Sequence, residues 1–444
     1  MNVPYDFATP ALIQKIQWIR NPFAMLEKYQ KKYGDLFALP IGDNFETIVY
    51  VSHPDAVKQI LKFDIPDKID KAFQVFFGNY SLFTLNGSAH HRQRQLLLPP
   101  FHGERMRAYG QTICKITEQV IKEWGLGKPF SAQFAMEKIS MQIIMQNVFG
   151  IEDQERFQKL THLLTIFMKI SKHPLNSIAF YFPILQRNLG LLSPWRAFLR
   201  LRQQIDTLIY QEIQSRRKNF EQSRTDILAM LMQAQDEQGK TMTDVELRDE
   251  LMTLLVAGYE TTSTTITWAL YWIHKLPEVK AKLLQELSSL DEDADSLELS
   301  RLPYLKAACN ETLRIFPTIT ESMVRLAKFP CKLLDCYSIE PGTMLIASIH
   351  LLHRREDLYP EPTLFKPERF LQRQFSPYEF LPFGGGIRRC IGMAFAQFQM
   401  QLVIATILSR VELALVSNRP VKPVYDGAIN SPSTVQLAVT KYRD

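Results

Sequence analysis

Residues 383–392, Phe383-Gly384-Gly385-Gly386-Ile387-Arg388-Arg389-Cys390-Ile391-Gly392, decide how the rest of this chain is read. Three glycines deliver a single cysteine to the start of an apolar segment that reads as a helix over about 390–409. A thiolate ligand placed there is stabilised by the positive end of the helix and by backbone N–H groups aimed at sulfur. Glycines such as Gly386 and Gly392 let backbone approach a flat macrocycle without side-chain clashes. Phe383 is placed to shield the sulfur, and Arg388 to reach a carboxylate on the bound group. The competing reading, a glycine-rich turn capping a helix beside a structural cysteine, leaves five matched positions to coincidence.

Around this loop lie 444 residues, 46% hydrophobic and 22% charged, which is ordinary for a globular protein. No stretch has the composition of a linker and no repeat has a fixed period, so one large, mostly helical unit is expected. That length has no room for a fused reductase, so electrons are expected from outside. Polar residues break every apolar run in residues 1–23, which argues against a signal peptide or anchor there. The apolar stretch 251–259 is too short to span a bilayer. A cytoplasmic protein without a membrane span is expected, one able to touch a membrane through a surface patch.

Cys114, Cys309, Cys331, Cys336 and Cys390 form no CxxC pair, and an odd count suits a reducing compartment. The first four read as inert thiols. The net charge of +6 comes without the aromatic-interleaved basic motif of a nucleic-acid reader, so an acidic protein partner fits better than nucleic acid. Basic runs such as Arg216-Arg217-Lys218 read as solvated helix faces.

Residues 21–33 read as a helix with Gly34 just beyond its end. Short strands follow at 35–40 and 46–51, and a helix starts near Pro54. From about 104 to 290 the pattern is helical almost throughout, including one long segment at 243–276 with the unusual centre VAGYETTSTT. A helix at 302–316 precedes short strands near 323–346. The class is mainly α with a small β part.

FGGGIRRCIG resembles the haem-binding loop of the cytochrome P450 family, whose pattern is F-x-x-G-x-R-x-C-x-G, and Ala394 also fits. The family's other marks follow in order, so the resemblance covers essentially the whole chain. It implies haem b with the Cys390 thiolate on its iron, and one catalytic unit over 1–444 in which a long helix crosses the haem. Glu311 and Arg314 of ETLR share one helix face, and with Arg369 of PERF they correspond to the family's buried structural triad. Ala257-Gly258-Tyr259-Glu260-Thr261-Thr262 resembles the oxygen-binding segment. There Gly258 leaves room for O₂ and permits local helix distortion, Thr261 bonds to dioxygen or a nearby water, and Glu260 relays protons. His90 stands where the family tryptophan is absent. His90 and Arg94, joined by Arg325 and Arg388, are implied to hold the haem propionates, with His91 and Arg92 on the surface.

The resemblance implies insertion of one oxygen atom from O₂ into a C–H bond. The loop at 71–85 (KAFQVFFGNYSLFTL) matches the cover of the distal pocket, with Phe73, Phe76, Phe77, Tyr80 and Phe83. Ala257 and residues 317–324, including Thr318 and Ile319, are expected to line the pocket, and 173–192 to form an access lid. No arginine stands out as a carboxylate anchor, and the substrate is expected to be a long-chain fatty acid or a terpenoid. The electron donor is expected to be a ferredoxin with its own reductase, docking at Arg92, Arg373 and Arg389, and the protein is expected to be a monomer. Two other classes stay open: a haem-thiolate peroxygenase or isomerase not using O₂, and a non-catalytic haem sensor or electron carrier.

Overall fold

The computed structural model describes residues 3–42, 45–66, 71–101, 105–172, 194–219, 221, 223–291, 294–425 and 429–443. Two short helices, α1 (Ala11–Arg20) and α2 (Pro22–Tyr33), come first. Asn21 caps α2 by accepting the Ala24 N–H at 3.1 Å, and Pro22 fills a first-turn position that needs no donor. Gly34 ends the helix at φ +86°, as its place in the sequence implies.

The expected strands form as β1 (Leu36–Leu39) and β2 (Ile48–Val51), antiparallel to each other. Late in the chain β3 (Arg325–Leu326) and β4 (Met344–Ala347) complete the sheet in the order β1-β2-β4-β3, with β2 and β4 parallel. Every residue of β1 and β2 is buried, so both faces of this sheet are covered and the strands read as continuous apolar runs.

Three further helices surround the cleft described below: α3 (Lys71–Phe77), α4 (Gly87–Leu97) and α5 (Ala132–Ile144). The long helix α6 (Asp244–Lys275) starts at a capping box. Thr243 accepts the Glu246 N–H while the Glu246 carboxylate takes the Thr243 N–H at 2.7 Å. With 32 residues it is about 48 Å long at 1.5 Å per residue. It packs against α5 and against α8 (Met393–Arg410), and α7 (Pro303–Ile315) lies between α6 and the final loops. The helix over α8 begins three residues after Cys390, so the cysteine sits on the approach to the helix rather than in it.

Within the mostly helical stretch 104–290, Gly127 at φ +70° and Pro129 mark a break, where strand Pro129–Ser131 pairs with Gln436–Tyr442. One expectation is corrected here. Arg216 is not on a solvated face. It is buried, donating to Glu212 at 2.7 Å, to Asp226 at 2.5 Å and to the carbonyls of Phe149 and Gly150. Those carbonyls end a π-helical turn, Met145–Phe149, and need donors that the turn itself does not supply. Among the described residues no helix is long and apolar enough to cross a membrane.

One consequence concerns pH. His274 holds its ring Nδ1 2.7 Å from the Leu270 carbonyl within α6, and burial pulls its pKa down to about 4. An unfolded histidine titrates near 6.5, so between pH 6.5 and 4 the unfolded chain binds the extra proton and stability falls as pH drops. Urea unfolding followed across that window should show a shallower pH slope for His274→Gln, by up to one proton.

Candidate active site

The cysteine loop is shaped by positive-φ glycines and by the chain beneath it. Gly384 and Gly386 adopt φ +63° and +67°. A Cβ on Gly386 would lie 2.4 Å from the Leu61 carbonyl oxygen, so only glycine fits that approach. The Cys390 N–H closes the loop onto the Phe383 carbonyl at 2.9 Å. Cys390 lies deep within the fold, where burial raises its thiol, yet the residue presents open surface. That combination marks a group lining an internal cleft. The Gly392 N–H points at the sulfur and, with Arg94 and Arg389, works against the burial effect.

Beneath the loop, Glu311 and Arg314 are completely buried in α7 and joined by two bonds of 2.7 and 2.8 Å. Arg369 donates to Glu311 at 3.1 Å, and the Lys366 N–H at 2.8 Å. Arg314 spends its remaining donors on the carbonyls of His353, Pro362 and Leu364, and Arg369 on those of Pro360, Glu361 and Leu364. The three side chains predicted as a triad therefore meet. They clamp the irregular chain from 353 to 369, and His353 continues the clamp by accepting the Leu381 N–H at 2.9 Å, just before the cysteine loop.

His90, Arg94, Arg325 and Arg388 converge on the cleft and disfavour one another's charge. Burial, then Arg388, Arg94, His91 and Arg325, press His90 down to about 4. Burial, then Arg325 and Arg94, press Arg388 down to about 10. Asp64 is the acid that offsets Arg325 and Arg388, and it also pairs with Lys328 at 2.8 Å. Arg388 grips the carbonyls of Leu82 and Leu85 and the Asn86 side chain at 2.6–2.8 Å, and Arg325 the carbonyls of Phe63 and Gly385. The Nε of both has no hydrogen-bond partner among the described residues. Such a set fits a ligand bearing more than one carboxylate. Gly392 fits a flat ligand as well, because a Cβ there would meet nothing within 4 Å of the chain.

Across the cleft, α6 runs through Gly258 as an uninterrupted α-helix, without the local distortion that glycine permits. A Cβ on Gly258 would touch only Ile144, at 3.3 Å for the nearest atom. The Thr261 hydroxyl donates back to the Ala257 carbonyl, Glu260 is buried, and Ala257 is half-buried. Thr318 is buried and shares a 2.8 Å hydrogen bond with Thr265, one turn beyond Thr261, while Ile319 stands exposed.

The aromatic cover divides. Phe77 is buried and packs on Phe83 at 4.8 Å, whereas Phe76 packs among Phe77, Phe167 and Phe198. Tyr80 is exposed. The side chain of Phe73 and the segment 173–192 lie outside the described residues. Among the expected docking cations, Arg92 is corrected: it is held by Asp236 at 2.6 Å, from the turn that precedes α6, and by Glu246 at 2.7 Å, from the α6 capping box. His91 is exposed as expected. Arg373 is exposed but paired with Glu379 at 2.5 Å, and Arg389 is exposed with a contact to the Met393 sulfur.

Two acids in α6 escaped the sequence reading. Asp249 is buried, accepts the Tyr80 N–H at 2.9 Å, and occupies the space that any side chain at Gly78 would need. It pins the aromatic loop to the long helix. Glu250 is fully buried beside Gln93 and the Leu82 backbone, and burial holds its carboxyl well above the usual range. The signal was present: two adjacent acids stand immediately before the apolar run of α6, a little over two turns ahead of Gly258.

Comparison with known proteins agrees with this geometry. The family model described as Cytochrome P450 matches residues 7–439. The chain is similar to cytochrome P450 135B1 of Mycobacterium tuberculosis, 33% identical over 439 residues, covering 97% of this chain and 90% of the relative. Cytochrome P450 138 of the same organism is 32% identical over 413 residues, covering 92% and 89%. Among solved structures, the haem domain of cytochrome P450DA superposes with a TM-score of 0.86 at 21% identity, covering 100% of this chain and 98% of that one. A retinoic acid-bound cyanobacterial CYP120A1 gives 0.83 at 19% identity, covering 100% and 99%.

The triad supplies a test. Glu311→Gln leaves Arg314 and Arg369 buried without their counter-charge, which should cost about 3–5 kcal/mol. Denaturant unfolding should show a loss of that size, with less haem retained on purification. A loss under about 1 kcal/mol, the range of an exposed pair, would contradict the clamp.

Proposed function

The chain belongs to the cytochrome P450 family of haem-binding monooxygenases, and we propose that it inserts one oxygen atom from O₂ into a C–H bond of a long apolar substrate, a fatty acid or a terpenoid. The observation that carries the reading is Cys390, deep in the fold, open to an internal cleft, and with a backbone N–H aimed at its sulfur. Haem b, held through a cysteinate that pushes electron density onto the iron, supplies the oxygen chemistry when bound.

The chain's own residues do the rest. Cys390 Sγ would hold the iron, with Phe383 the residue to shield the sulfur. His90, Arg94, Arg325 and Arg388 would hold the two propionates, which would offset the mutual repulsion of these cations. Opposite them, the missing side chain at Gly258 leaves space beside Thr261. The Thr261 hydroxyl, anchored on the Ala257 carbonyl, can rotate its proton towards that space, and Glu260 replenishes it from within the helix. Thr318, fixed by Thr265, and Ile319 shape the substrate side, with Phe77 and Phe83 above. The retinoic acid named for one similar structure is a long apolar acid, in keeping with this substrate class. Electrons arrive from a ferredoxin-type donor, for which exposed Arg389 and Arg373 on the cysteine side offer positive charge.

Following haem absorption while titrating a long-chain fatty acid into the holoprotein should give a saturable shift from low to high spin. A shift with terpenoids alone selects the terpenoid, and no shift with either overturns the apolar pocket. Thr261→Ala should keep the shift but consume NAD(P)H with roughly 100-fold less product per turnover, the low end of general acid–base contributions. Unchanged coupling in that variant would remove Thr261 from proton delivery.

A further inference from the structure

Helix α1 is inverted. The one residue it buries is polar, Gln14, whose amide donates to the carbonyls of Asp6 at 3.0 Å and Thr9 at 2.8 Å. Its large apolar residues face out: Leu12 is 59% exposed, Ile13 45%, Ile16 47% and Ile19 73%. The spacing 12, 16, 19 is that of one helix face, with Ile13 beside it. Phe7, 88% exposed, precedes the helix, and Trp18 roots it against Tyr50 at 5.6 Å. Single exposed apolar residues are normal on a protein surface, but a contiguous apolar face marks a docking site.

The charges around this face select its occupant. Residues 1–33 carry Lys15, Arg20, Lys28, Lys31 and Lys32 against Asp6 and Glu27. Both acids are occupied: Asp6 accepts from Thr9 and Tyr29, each at 2.9 Å, and Glu27 contacts His350 at 3.0 Å. Arg20, Lys28, Lys31 and Lys32 are exposed, so what remains outward is positive. An apolar helix face rimmed by cations matches an anionic membrane surface. A second copy fits less well, because a helix of ten residues is only about 15 Å long. Such a face offers far less than the roughly 800 Å² per partner of a stable interface.

We propose that α1, with Phe7 before it and the cations of α2 beside it, is a docking surface for an anionic lipid bilayer, holding the protein at the membrane without spanning it. The surface adjoins the substrate side of the molecule. Phe23 of α2 meets Tyr425 at 5.5 Å, strand Pro423–Tyr425 pairs with Asn430–Pro432, and the Asn430 N–H bonds to the Thr318 carbonyl at 2.9 Å. Val424 on that hairpin is 50% exposed.

The test is co-sedimentation of the full-chain holoprotein with vesicles of phosphatidylglycerol in phosphatidylcholine, against vesicles of phosphatidylcholine alone. Binding is expected to the anionic vesicles and to weaken with salt. Ile16→Asp with Ile19→Asp should reduce it at least tenfold, and Lys31→Glu with Lys32→Glu severalfold, while Leu371→Asp, at another exposed apolar position, leaves it unchanged. Circular dichroism and melting temperature check that each variant is folded. Absence of wild-type binding, or equal losses from Ile16→Asp/Ile19→Asp and Leu371→Asp, would overturn the proposal. So would a concentration-dependent dimer, seen by light scattering, that the Ile16/Ile19 substitutions abolish.

Discussion

The carboxylate of Glu311 is the point on which the cleft depends. It is fully buried and receives Arg314, Arg369 and the Lys366 N–H, and the two guanidiniums spend their remaining donors on carbonyls between His353 and Leu364. A charge out of water is tolerated only with such saturation. The return is positional. A stretch with little regular structure of its own is tied to α7, and through His353 to the chain that enters the cysteine loop. The loop then needs only its glycines and the Leu61 carbonyl beneath Gly386 to set where Cys390 stands.

Electrostatics in the cleft run the other way. The triad neutralises charge within the protein, whereas His90, Arg94, Arg325 and Arg388 raise one another's free energy, and the Nε atoms of Arg325 and Arg388 have no hydrogen-bond partner among the described residues. A fold holds such a set when a ligand with opposite charge completes it. Of these cations Arg94, together with Arg389 outside the set, favours the thiolate at Cys390, against the larger effect of burial that opposes ionisation. The Gly392 N–H adds to this on the side of the sulfur nearest α8.

What could be read in the sequence was local or patterned. Thr243 with Glu246 announced the start of α6, and Asn21, Pro22 and Gly34 bounded α2, because caps act over three or four residues. The glycine loop around Cys390 was legible for the same reason. Glu311–Arg314 carried no meaning alone; only the resemblance joined it to Arg369. The misreadings concern long-range partners. Arg92 and Arg216 looked like surface charges because Asp236, Glu246, Asp226 and the Gly150 carbonyl approach them only in the folded chain. Asp249 and Glu250 were hidden by the apolar run that follows them. Residues 1–23 were read only as lacking an unbroken apolar run, and the burial of Gln14 reveals which way helix α1 faces.

Cys390 ligation is tested most directly by X-ray absorption at the iron edge of the purified holoprotein, wild type beside Cys390→Ser. One sulfur bonded directly to iron in the wild type, absent from the variant, is the expected result. A wild-type iron with only nitrogen and oxygen neighbours, or a sulfur signal that survives the substitution, would contradict it.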